Sequence, residues 1–245
     1  MKPRATRVTV VFVGAFSPSS STLESLINEK AISKSDGEAA KYNALVNGQI
    51  VEIALPWCVF GLVGNRFSVD TSQIPYVRAA DLASKFIREI SPNSKVEKLG
   101  INVILTYGYT DSKERDQLGR RLVPPTNWGG WGREIQNSQT FPVTDPRHGG
   151  LINVGMRQGK PDDRDAGWID VQIAPGMSSA SSHDVTIAIN DHYEASPNPG
   201  DISSSKLSDA AITASLLDLF ERNFDASIER SLSIANQIIE GPTNA

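Results

Sequence analysis

The sequence predicts an α+β fold, a mainly antiparallel sheet covered by helices, with one long helix at the C-terminal end. Three observations carry this. Short runs rich in β-branched residues alternate apolar and polar positions, as in Val185-Thr186-Ile187-Ala188-Ile189-Asn190. Those runs are separated by turn residues in a meander order, without the regular strand–helix alternation of a parallel sheet. Near the end, Leu217, Phe220, Phe224, Ile228, Ala235 and Ile238 recur at helical spacing.

Taken in order, Val8 to Phe16 reads as a buried strand ended by Ser17-Pro18. Its basic start and apolar stretch resemble a signal peptide, but the run is short and β-branched, which favours the strand. Ser21-Thr22-Leu23-Glu24 has capping-box spacing, with Ser21 as the cap, and opens a short helix. Ser33 to Lys41 is polar and reads as a loop. Gln49–Leu55, Trp57–Val63 and Arg66–Asp70 read as a strand meander turned at Pro56 and at Gly64-Asn65. Pro75 opens a helix to about Ile90, and Leu99 to Tyr107 is the central-strand candidate. A helix from Asp111 to about Leu122 follows. Val123 to Gly150, with its prolines and glycines, reads as a long loop. Strands are expected at Leu151–Met156, Trp168–Ala174 and Asp184–Tyr193.

The C-terminal helix should start at a Ser208 cap and stop at Gly241-Pro242. At ~1.5 Å per residue it spans nearly 50 Å, more than one small sheet needs. Residues 1–200 therefore form the sheet domain, and residues 201–245 a helical segment docked on it or on a partner subunit. That helix either bends, breaks near Asn223, or helps the chain associate with itself.

Net charge is −4, from 24 Lys and Arg against 28 Asp and Glu. This argues against nucleic acid as the main partner, since neutralising phosphates takes a basic excess. Cys58 is the only cysteine, so neither an intrachain disulfide nor a thiolate zinc site can form, and a reducing, cytoplasmic setting is expected. No run is long and apolar enough for a membrane helix. In Trp57-Cys58-Val59-Phe60 the thiol reads as a small buried hydrophobe.

Motifs for phosphate, dinucleotide, serine-hydrolase or zinc-protease chemistry are absent. The candidates left for chemistry are His148, which Asp145 could orient, and the acids Asp162, Asp163 and Asp165. Turn chemistry explains both groups without a catalytic role. His183, Asp184, Asp191, His192 and Glu194 bracket one strand and read as polar ends meeting solvent. No metal or cofactor is expected. Trp128-Gly129-Gly130-Trp131-Gly132-Arg133 has two readings of equal weight: two Trp beside an Arg are typical anchors of a binding surface, and the glycines would also let both rings fold back to cover a sheet edge. Arg115, Arg120 and Arg121 could add a basic rim.

The segment from Asn65-Arg66-Phe67-Ser68-Val69 through a helix to Leu99-Gly100-Ile101-Asn102-Val103 resembles part of a group of sporadically distributed, uncharacterised bacterial proteins. It covers about a quarter of the chain. The resemblance implies a bacterial or phage-related cytosolic protein with an α+β sheet, and no activity to carry over. The expected function is a non-enzymatic binding or assembly protein that self-associates, with Trp128, Trp131, Arg133, Arg120 and Arg121 as its surface. The rivals are a metal-assisted hydrolase or nuclease-like enzyme, and a phage or secretion-apparatus component.

Overall fold

The computed structural model describes residues 1–16, 22–46, 50–141, 145–146, 148–160, 166–176, 183–195 and 208–241. Nine strands form one fully antiparallel sheet. They are β1 (Ala5–Ala15), β2 (Lys41–Val46), β3 (Ile50–Ala54), β4 (Val59–Val63), β5 (Arg66–Thr71), β6 (Lys95–Gly108), β7 (Val154–Gly159), β8 (Gly167–Pro175) and β9 (Asp184–Glu194). Their order is β2-β3-β4-β5-β1-β6-β9-β8-β7. The N-terminal meander thus forms one half of the sheet and the C-terminal strands the other, with β1 and β6 joined at the centre.

The period-two pattern sorts side chains onto two faces. Val8, Val10, Phe12, Ile101, Val103, Leu105, Ile187 and Ile189 are buried on one face. Two helices close it, α3 (Val77–Lys85, continuing as a π-helical turn Phe86–Ile90) and the long C-terminal α6 (Asp209–Glu240). Phe12, Phe60, Phe67, Phe86 and Phe220 pack there ring against ring. Burying side chains of this size stabilises by about 1.5–3 kcal/mol each, which makes this face the main source of stability. Among the described residues no helix packs over the opposite face, where Thr9, Ser68, Asn102 and Asn190 are half-buried.

α6 starts at Ser208, whose hydroxyl accepts from the Ala211 N–H, and ends at Gly241 with φ of 76°. It is continuous through Asn223. Its length has a cause within the chain, because β6 has 14 residues and extends ~46 Å at ~3.3 Å per residue, against ~48 Å for the 32-residue helix. Contacts occur at both ends. The Val96 N–H donates to Thr213 Oγ1 at 2.9 Å, and the Tyr107 hydroxyl donates to Asn236 Oδ1 at 3.3 Å. The helix has no surplus length, and the sequence argument for a second subunit falls with it.

Three local expectations need correcting. Ser33–Lys41 holds a short helix, α2 (Lys34–Ala39), capped by Ser33, and then the start of β2. The first helix, α1 (Leu23–Asn28), is capped by Thr22, whose side chain accepts from the Ser25 N–H; Ser21 lies outside the described residues. The Val123–Gly150 region is not one loop. After α4 (Ser112–Leu122) it contains a 3-10 turn, Pro125–Trp128, and a helix, α5 (Gly129–Ser138). Cys58 is buried as expected, and desolvation pushes its thiol up to about 12. Among the described residues no helix is long and apolar enough to cross a membrane.

Candidate functional site

The Trp-Gly-Gly-Trp-Gly motif folds as a corner. Gly129 takes a φ of 60°, which a residue with a Cβ reaches only at a cost, and there the 3-10 turn reverses into α5. Gly132 sits against the Pro125 carbonyl, where a Cβ would collide with the backbone. These two glycines let the helix fold back onto its own entry. They also place Trp128 and Trp131 on one side, edge to face at 5.5 Å between ring centres. Both rings stand out from the surface, at 51% and 58% exposure.

Below them runs a groove between α4, α5 and the segment 148–153. It consists of two adjoining cavities of about 250 and 210 Å³ that share Gly119, Gln139, Gly150, Leu151 and Ile152. Leu118, Leu122, Ile135 and Ile173 make most of its remaining wall apolar. Ile152 is 85% exposed at its lip. From there the chain enters β7, an edge strand with a free outer side. Large apolar side chains thus gather around a concave, apolar floor.

Of the three arginines expected at the rim, Arg115, Arg120 and Arg121, one remains there. Arg120 lines the groove and its Nε donates to Gln139 Oε1 at 2.8 Å. Arg133 is exposed on α5. Arg121 instead reaches the end of α6, donating to the Ile238 and Ile239 carbonyls at 2.6 and 2.8 Å. It satisfies carbonyls that the helix end leaves unpaired and opposes the negative end of the helix dipole. Arg115 is buried and donates from Nε and Nη2 to Asp116 Oδ1 at 3.0 and 2.7 Å.

His148 lies in the groove wall with both ring nitrogens engaged. Nδ1 is 2.8 Å from the Phe141 carbonyl, to which it donates. Nε2, left as the acceptor, receives Arg115 Nη2 at 3.2 Å. The Phe141 carbonyl therefore orients the ring. Asp145 contributes its backbone carbonyl to the turn, accepting the His148 N–H at 2.9 Å. An imidazole held on both sides, by a carbonyl and a guanidinium, is a strut of the wall and is poorly placed to take a proton from a substrate. Asp162, Asp163 and Asp165 lie outside the described residues. Among the described residues no group of three or more His, Cys, Asp and Glu is placed to hold a metal ion.

The strand-end acids behave differently from the sequence expectation. Asp191 is 1% exposed and lies on the core face, in step with Ile187, Ile189 and Tyr193. Its Oδ2 accepts from Ser227 Oγ at 2.8 Å, from the Tyr193 hydroxyl at 3.1 Å, and from Arg230 Nη1. Oδ1 faces the Lys160 ammonium at 2.8 Å, at an angle outside the hydrogen-bonding range, so this contact acts as an ion pair. Lys160 is itself 5% exposed and donates to the His192 carbonyl at 2.7 Å. The cluster ties β9 to α6 and to the residue following β7. His192, one place on, stacks against Trp168 at 4.0 Å on the other face, and burial lowers its pKa. Asp184 is bonded by Arg4 at 3.2 Å.

No protein-family model matches this chain, and a search of curated proteins finds no match.

Proposed function

We propose that this chain is a binding protein whose working surface is the aromatic groove of α4, α5 and residues 148–153, and that its partner is a protein segment with an apolar anchor. The observation that carries the reading is the pair of half-exposed tryptophans beside an apolar groove. Interface energy concentrates in Trp, Tyr and Arg clustered around a pocket that excludes water. The glycine-built corner fixes both rings before any partner arrives, so little side-chain entropy is left to lose on binding. Arg120 supplies a basic group at the groove, suited to an acidic residue flanking the anchor.

Peptides selected from a displayed random library against the intact chain test this. Enriched sequences should carry a bulky apolar residue, and Trp131→Ala should weaken their binding by 10-fold or more, equivalent to about 1.4 kcal/mol. Light scattering identifies the case in which the partner is a second copy, as a dimer that Trp131→Ala dissociates. If no sequence is enriched, or if Trp128→Ala and Trp131→Ala bind as the parent does, the groove is not the working surface.

A further inference from the structure

The face of the sheet that no helix covers among the described residues carries a row of polar side chains in strict register. Asp70 on β5 lies opposite Thr9 on β1, Thr9 opposite Asn102 on β6, Asn102 opposite Asn190 on β9, Asn190 opposite Asp170 on β8, and Asp170 opposite Arg157 on β7. Six strands contribute, over ~24 Å at ~4.8 Å per strand. The neighbouring row runs Gly61 on β4, Ser68 on β5, Val11 on β1 and Gly100 on β6, so that two of its four positions carry no side chain. A Cβ on Gly100 would approach Asn190 Oδ1 to 2.8 Å. The result is a trough of about 550 Å³, bounded by Glu52 at one end and Asp170 at the other. Residues six strands apart in the sheet order line one cavity, so the sheet curls around it.

The charges in this trough cancel. Arg7 Nε bonds both oxygens of Asp70 at 2.7 Å, and Asp70 also accepts the Thr9 hydroxyl. Arg157 holds Asp170 through two bonds, at 2.6 and 2.9 Å. Counting Arg157, which lies beside the lining and holds Asp170, the guanidiniums of Arg7, Arg66 and Arg157 balance the carboxylates of Glu52, Asp70 and Asp170 in number. Between the paired ends lie the amides. Asn102 spends one N–H on the Thr9 carbonyl at 3.3 Å, while the side chains of Asn190 and Gln172 take no partner among the described residues. The floor thus offers donors and acceptors together, with no net charge to attract a phosphate.

We infer that this trough is a binding site for an uncharged, polyhydroxylated ligand, a short neutral oligosaccharide in chemical class. Each hydroxyl both donates and accepts, which matches free amides and guanidinium–carboxylate pairs without unbalancing charge. The volume falls within the range of ligand pockets, roughly 300–1,000 Å³. Gly61, Ser68 and Ala188 in the lining leave no deep apolar pocket that would hold the side chains of a peptide. This site is on the other face of the sheet from α3 and α6, and it is independent of the tryptophan groove.

The experiment is a ligand-observed NMR screen of the full chain with maltotriose, cellotriose and chitotriose as neutral probes and a heparin hexasaccharide as the anionic one. Concentrations extend to about 10 mM, beyond the weak end of specific binding. At least one neutral probe should bind, at least 10-fold more weakly to Asn190→Ala and to Gln172→Ala, and equally well to Trp131→Ala. The two amides hold no other side chain in place, so melting temperatures should match the parent. The inference is overturned if no neutral probe binds, if only the anionic probe binds, or if both amide variants bind as the parent does.

Discussion

Removing the Asp191 carboxylate tests the physical account of the core more sharply than any other change. In Asp191→Ala the Lys160 ammonium, 5% exposed, loses its buried counter-ion and keeps its bond to the His192 carbonyl and its place over the Tyr193 ring. Ser227 and Tyr193 lose a shared acceptor, while Arg230, at 37% exposure, can turn to water. Breaking a buried ion pair from one side costs about 3–5 kcal/mol. For a chain of this size each kcal/mol moves the melting temperature by about 2–4 °C, so a fall of roughly 6–20 °C is expected. Replacing both ends, in Asp191→Leu with Lys160→Met, removes the stranded charge and should recover a large part of that loss, since buried pairs often exchange for apolar residues at little cost. Urea unfolding followed by circular dichroism, together with calorimetry, reads all three proteins. A single variant within about 1 kcal/mol of the parent, or a double variant no more stable than the single, would refute the assignment of this cluster as a buried tie between β9 and α6.

Two other outcomes follow from the geometry. Burial lowers the pKa of His192 from its ordinary 6.5, so the folded chain binds fewer protons than the unfolded chain. The stability this group contributes is fully present above about pH 6.5 and is lost as pH falls toward the folded value; His192→Gln should flatten that part of the stability–pH curve, and an unchanged slope would show that other groups set it. Arg121→Ala should cost about 1–2 kcal/mol through the loss of two charged hydrogen bonds to the last carbonyls of α6. Hydrogen exchange should then quicken in the last turn of that helix while β6 stays protected, and equal exchange there would mean that water replaces the guanidinium.

The regular parts of this fold are legible in the sequence because local pattern and burial agree there. Alternation marks β1, β6 and β9, and Ser208 and Gly241 bound α6 correctly. Exposure of the two tryptophans is not legible locally, since the flanking glycines equally permit both rings to fold back over a sheet edge. Legibility fails where distant residues decide. The glycines of Gly129-Gly130-Trp131-Gly132 argue locally against a helix, yet packing against Pro125 makes one. Arg121 reads as a rim charge because its acceptors lie 117 and 118 residues away. Asp191 reads as a strand end because Ser227, Arg230 and Lys160 are 36, 39 and 31 positions off. Its parity was nevertheless a signal: an acid in step with Ile187, Ile189 and Tyr193 must be buried, and a buried carboxylate needs partners. Likewise the polar row of the open face is invisible in any single strand and appears only once six are in register.

The match between α6 and β6 also bears on how the chain comes to be folded. The strands that β6 joins are drawn from residues 5–15 and 184–194, and its cover comes from residues 209–240. During synthesis on the ribosome, the apolar face of the half-built sheet is therefore left without its lid until the final helix has emerged. Proteins that expose such a surface while growing are prone to aggregate and depend on chaperones. The C-terminal helix is accordingly the element whose late arrival sets the interval over which this chain must be protected.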